Sequence, residues 1–133
     1  MLHSEITGKI LKVFFKVNET LGHGFLEKVY ENAMRIELFK MGIKVEQQRN
    51  IKVFYDGIEV GDYYSDLLIN DLVIVELKAA ESLCPEHEAQ LVNYLRATEV
   101  EVGLLLNFGK KAEFKRKIFT NDMKLHITNR IYA

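Results

Sequence analysis

The sequence predicts an α/β fold, a mixed β-sheet flanked by helices in the order α-α-β-β-β-β-α-β-β, and three observations carry that prediction. Two stretches with apolar residues at helical spacing come first, and a change to alternating spacing follows from about residue 43. The segments Tyr64–Ile69, Leu72–Leu77 and Val102–Leu106 are apolar on both faces, the pattern of strands covered by helices on both sides. A helical pattern opened by Pro85, the only proline, separates the second of these segments from the third. With 133 residues the chain is long enough for one domain, 1–133, with a real core, and it shows no repeat, linker or low-complexity segment.

Ser4 is placed to cap a first helix, with Ile6, Ile10, Val13, Phe14 and Val17 on one face. Leu21-Gly22-His23-Gly24 breaks it. A second helix follows from about Phe25 to Met41, striped by Leu26, Val29, Tyr30, Ala33, Met34 and Leu38, and Gly42 can stop it. Ile43–Val45 can begin a strand, and Ile51, Val53 and Tyr55 alternate with Lys52 and Phe54. Asp56-Gly57 is a two-residue hairpin turn, with Ile58–Val60 returning. The helix after Cys84-Pro85 runs to about Thr98, with Ala89, Val92, Leu95 and the stem of Arg96 available for packing. Phe114, Arg116 and Ile118 alternate with lysines as in an edge strand, and the last dozen residues fit no single pattern.

Composition narrows the function. Apolar residues make up 48% and charged residues 28%, a globular balance. No apolar run approaches the roughly 20 residues that cross a bilayer, and Glu5, Lys9, Lys12 and Lys16 interrupt the N-terminal pattern. Neither a signal peptide nor a membrane anchor is expected, and a cytoplasmic location is. The single cysteine, Cys84, excludes an internal disulfide framework and a multi-cysteine zinc site. His3, His23, His87 and His126 share no metal-ligand spacing.

The net charge of −1 exerts no overall pull on nucleic acid, but its distribution is uneven. From Glu46 to Glu101 there are 12 acidic residues against four basic ones, Arg49, Lys52, Lys78 and Arg96. From Gly109 onward seven bases, including Lys115, Arg116 and Arg130, face Glu113 and Asp122 alone. An acidic middle with a basic tail suits a metal site beside a phosphate-contacting patch, with Lys115 and Arg116 as candidate substrate contacts. A solvated basic edge strand that discourages aggregation accounts for the tail equally well.

The chemistry concentrates in Ser65–Lys78, SDLLINDLVIVELK. Glu76 and Lys78, two apart on a strand, share a face. Singly, Asp66 could open a strand at the surface and Glu76 could pair with Lys78. Together in so apolar a segment they indicate a site, since buried charge is costly unless compensated. Two carboxylates from adjacent strands suit a hard cation such as Mg²⁺, which keeps waters for a phosphate to replace. The loop decides whether they can share one. A two-residue turn at Asn70-Asp71 would set Asp66 opposite Val75 and send the carboxylates to opposite faces. A shared site requires an odd-length loop, such as Asn70–Leu72, or a bulge. Glu27 after the glycine break, and Gln90 with Tyr94 four residues on, are the other candidates.

Asp66 followed by Glu76-Leu77-Lys78 resembles the D…(D/E)xK signature of the PD-(D/E)XK nuclease superfamily. Gly24-Phe25-Leu26-Glu27-Lys28-Val29-Tyr30 resembles the GxxExxY motif of a family of small proteins in it, and Gln90-x-x-x-Tyr94 resembles the QxxxY motif of RecB-like nucleases. The likeness spans roughly Leu21 to Phe119, with Tyr64-Ser65-Asp66 standing where the pattern has a basic residue two before the aspartate. It implies a restriction-endonuclease-like core with Mg²⁺ or Mn²⁺ held by Glu27, Asp66, Glu76 and the carbonyl of Leu77. It further implies Lys78 as the catalytic lysine, Gln90 positioning Lys78 or the nucleophile, and Tyr94 touching substrate. A nuclease acting on DNA, or RNA, is thus expected, in a homodimer or larger complex. The alternative is a catalytically poor module of the same fold that binds nucleic acid or a protein.

Overall fold

The computed structural model describes residues 1–124; Arg130, His126 and most of the last dozen residues lie outside this range. Two helices, α1 (Ser4–Leu21) and α2 (Glu27–Lys40), precede β1 (Val45–Tyr55), β2 (Ile58–Ile69) and β3 (Val73–Lys78). Helix α3 (Pro85–Arg96), β4 (Val102–Asn107) and β5 (Glu113–Ile118) follow, then a 3₁₀ turn at Asn121–Lys124. The strands form one five-stranded sheet in the order β1-β2-β3-β4-β5. All neighbours are antiparallel except β3 and β4, which run parallel, with α3 as the crossover between them.

The α/β architecture is as read from the sequence, with one strand fewer. Ile58–Val60 and Tyr64–Ile69 are parts of one 12-residue strand, which Gly61 does not interrupt. The register shifts between Val53 and Phe54, a bulge that leaves the hairpin intact around Asp56 (φ 48°) and Gly57 (φ 80°). Ser4 is the first helical residue rather than the cap; His3, in a left-handed conformation, precedes it. Gly42 (φ 73°) stops α2 as expected, where the Ile43 N–H reaches back to the Leu38 carbonyl and the Gly42 N–H to that of Phe39.

Two cores lie on opposite faces of the sheet. Ile10, Phe14, Tyr30, Met34 and Leu38 of α1 and α2 pack on Val73, Val75, Leu77, Leu104 and Leu106. Leu91, Tyr94 and Leu95 of α3 pack on Ile51, Leu68, Ile74 and Leu105. On α3 Leu95 packs as expected, but Leu91 and Tyr94 are buried in place of the expected Ala89 and Val92, because the crossover aims Leu91 at Gly103. A Cβ at Gly103 would stand 2.7 Å from a Leu91 methyl, so the missing side chain lets α3 seat closely. The α2 stripe is narrower than expected: Leu26 and Val29 are exposed, and Glu31 is buried among Tyr30, Met34 and Leu38.

Candidate functional site

Asp66 and Glu76 meet where the β2–β3 ladder ends. The ladder pairs Ile69 with Val73, Leu68 with Ile74 and Leu67 with Val75, which places Asp66 at the level of Glu76. Three residues, Asn70 to Leu72, separate the paired ends. Asn70 (φ 50°) and Asp71 (φ 56°) form the turn, closed by the Leu72 N–H on the Ile69 carbonyl, and Leu72 is the extra residue. The odd count is the condition on which a shared site depended.

At Asp66 the ladder gives way to side chains. The Asp66 N–H donates to Glu76 Oε2 at 2.7 Å, and the Leu77 N–H donates to Asp66 Oδ2 at 2.8 Å. Each carboxylate thus caps backbone that the diverging strands leave unpaired. Burial first, and the nearby charge of Asp66 second, push the Glu76 carboxyl up to about 8. Burial also raises Asp66, against the Leu77 N–H, and the charges of Glu31 and Glu27 add to the rise.

On the other side of Asp66, the β1–β2 ladder skips the pair formed by Gln48 and Asp66, between Gln47–Leu67 and Arg49–Ser65. Gln48 has φ 54°, and the strand faces exchange there: Val45 packs towards α1 and α2, whereas Ile51 and Val53 pack towards α3. The Gln48 amide donates to Glu31 Oε1 at 2.9 Å and lies 3.4 Å from Asp66 Oδ1. Glu31, only 3% exposed, also accepts from Gln47 and Lys28. Sequence reading passed over Glu31 and Gln48. An acid inside the α2 stripe was a legible signal for Glu31; Gln48 had none.

Lys78 is half-buried on the Glu76 face and lowers the cost of the Glu76 charge. The strand exit beyond it is fixed by Asn107, fully buried, whose amide accepts from the Ala80 N–H and donates to the Ala80 carbonyl, both at 2.9 Å. Leu77 buries its side chain in the α1–α2 core. Gln90 donates to the Tyr94 hydroxyl at 3.0 Å. Burial, then the charges of Glu76 and Asp66, push the Tyr94 phenol up to about 12. Tyr94 therefore keeps its proton within electrostatic reach of both carboxylates.

Glu27 is exposed at the start of α2, within electrostatic reach of Asp66 but less influential there than Glu31. Tyr30 is structural: it stacks on Phe108 with centroids 4.3 Å apart and donates to the Gly22 carbonyl at 2.6 Å. Lys115 and Arg116 do not form one patch. Strand alternation puts Lys115 beside Leu105 on the α3 side and Arg116 beside Leu104 on the other, where its guanidinium donates to the Leu2 carbonyl. Among the described residues, no three His, Cys, Asp or Glu side chains are grouped for a metal. Cys84 caps α3, its N–H on His87 Nδ1.

A mixed sheet with helices on both faces, a parallel β3–β4 pair and Asp66 beside Glu76-Leu77-Lys78 define a restriction-endonuclease-like nuclease fold. The family model of the PD-(D/E)XK nuclease superfamily matches residues 4–117, and the chain belongs to that superfamily. No curated protein and no solved structure is matched. Membership of that superfamily suggests a nuclease-type function. Among the described residues no helix is long and apolar enough to cross a membrane.

Proposed function

We propose that this chain is a metal-dependent phosphodiesterase of the GxxExxY type, a nuclease acting on DNA before RNA. The observation that carries the reading is the reciprocal Asp66–Glu76 arrangement at the break in the ladder. Burial raises the proton affinity of both adjacent carboxylates, the charge of Asp66 raises that of Glu76 further, and a divalent cation is the partner that would relieve both. Their hard oxygen donors fit Mg²⁺ or Mn²⁺, which bind through one or two carboxylates and otherwise through water and phosphate. Asp66, Glu76 and the Leu77 carbonyl would hold the ion, with Glu27 at the rim. When bound, it would supply Lewis-acid stabilisation of the phosphoryl oxygens.

The rest falls to the chain's own side chains. Lys78 orients the attacking water from the Glu76 face and offsets negative charge developing on the phosphate. Tyr94, with its oxygen accepting from Gln90, is free to donate its proton to a substrate oxygen. Gln48, tied to Glu31, fixes the rotation of the Asp66 carboxyl. The exposed apolar side chains of Leu26, just before α2, and of Ile36 and Phe39 on it support assembly into a homodimer or larger complex, as so small a nuclease would need to embrace a duplex.

The test is cleavage of supercoiled DNA, linear DNA and RNA in Mg²⁺, Mn²⁺ or EDTA, beside Lys78→Ala and Asp66→Asn. Cleavage that requires the metal and both side chains is expected. Cleavage that ignores EDTA and survives both substitutions would overturn the reading.

A further inference from the structure

The β1–β2 arm and α3 do not close on one another. Between them lies a groove of about 500 Å³, lined by Val53, Gly61 and Tyr63 on the arm and by Gln90, Asn93 and Tyr94 on α3. Its walls are mostly apolar. Glu86 and Arg96 are the charged residues on its border, one of each sign, and the Arg96 guanidinium lies 5.2 Å above the Phe119 ring.

Resting on the nuclease reading, we propose that this groove holds an unpaired nucleobase of the strand being cut, which makes single-stranded nucleic acid the preferred substrate. The groove is continuous with the candidate site, because Gln90 and Tyr94 belong to both. Its charge suits a base rather than a backbone: phosphates need a line of cations, and this groove offers none. On the α3 side of β5, Lys117 is already paired with Glu88 at 2.7 Å.

The floor is built for an aromatic face. Tyr63 is 47% exposed, and its ring lies over Gly61, where a Cβ would stand 2.9 Å from a ring carbon. A glycine inside a strand marks such a close approach. The Tyr63 and Tyr94 rings are 5.8 Å apart and inclined by 50°, which leaves no flat slot between them. The base therefore stacks on the outer face of Tyr63, with the Asn93 amide and the Gln90 carbonyl at hand for its edge. Stacking of this kind tolerates any base, so the groove selects strandedness rather than sequence.

The experiment measures binding in Ca²⁺ of a short fluorescein-labelled oligothymidylate and of a blunt duplex of equal length. The single strand is expected to bind more tightly. Tyr63→Ala should weaken it by about tenfold, within the range of one base–aromatic stack, whereas Tyr63→Phe should not. Lys78→Ala should abolish cleavage yet keep the preference for the single strand. Equal or tighter duplex binding, or a Tyr63→Ala protein that binds the single strand as well as the parent, overturns the groove assignment. If metal-dependent cleavage is seen beside that result, the nuclease reading stands and only the groove assignment falls. If nothing is cut but the Tyr63 pattern holds, the groove assignment stands without catalysis.

Discussion

Asp66 and Glu76 hold each other's strands at the point where the strands part: the Asp66 N–H rests on the Glu76 carboxyl, and the Asp66 carboxyl holds the Leu77 N–H. Both carboxyls thereby remain at one level of the sheet although their backbones have stopped pairing. Burial makes charge on this pair costly, and on the proposed reading a cation would offset that cost, with consequences that can be measured.

The first concerns pH. The Glu76 carboxyl titrates at about 8 in the folded protein against an ordinary value of 4.5, so between these values the native state holds a proton that the unfolded state has lost. Stability contributed by this group is therefore present below about 4.5 and is lost as pH rises towards 8. Thermal melts of the metal-free protein should fall across that range, and Glu76→Gln should flatten the curve. Added Mg²⁺ should raise the melting temperature more at pH 8 than at pH 5, because protons then compete less with the ion.

The second concerns the support of Asp66. Gln48→Ala removes the amide shared with Glu31 and should lower metal affinity and cleavage by about 10–100-fold, the usual effect of removing a residue behind a ligand. Gln48→Gly should lose as much activity but be more stable than Gln48→Ala by about 1 kcal/mol, since φ 54° suits glycine. Calorimetric metal titration and denaturant melts separate the two effects.

The third concerns the strand exit beside Lys78. Asn107→Ala leaves the Ala80 N–H and carbonyl without their partner and should cost about 1–3 kcal/mol. Urea unfolding measures it, and the cleavage rate under folding conditions should fall with it as the backbone after Lys78 loosens.

The fourth concerns the seat of α3. Gly103→Ala forces a methyl against Leu91 and should cost about 1–3 kcal/mol. Combined with Leu91→Ala, the two losses should sum to more than the double variant shows, because the second change removes the clash. Additive unfolding energies would mean that α3 simply shifts.

Much of the fold was legible because it rests on local pattern. Apolar spacing gave α1 and α2, Asp56-Gly57 gave the hairpin, and Pro85 marked the start of α3 to the residue. Reading Ile58–Val60 and Tyr64–Ile69 as separate strands divided β2 where no break exists, since the ladder to β1 runs on through Gly61. Leu95 was rightly read into the α3 stripe, but Ala89 and Val92 were natural choices beside it until the crossover selected Leu91 and Tyr94, a choice that no spacing within the helix reveals.

The candidate site divides the same way. Asp66, Glu76 and Lys78 stood out by themselves, because charges in an apolar strand pair are costly enough to require a reason. Their meeting depended on Leu72 being carried as an extra residue after the turn, and a turn of two or three residues reads alike in sequence. The contact of Glu31 with Gln48 depended on a left-handed residue that exchanges the faces of β1, whereas the separation of Lys115 from Arg116 was already implicit in strand alternation. Sequence by itself determined which residues carry the charge and which segments must be buried, because both follow from transfer free energies that belong to the residue. Tertiary structure alone decided which charges meet, because that turns on register and strand face, where a single residue reverses every side chain.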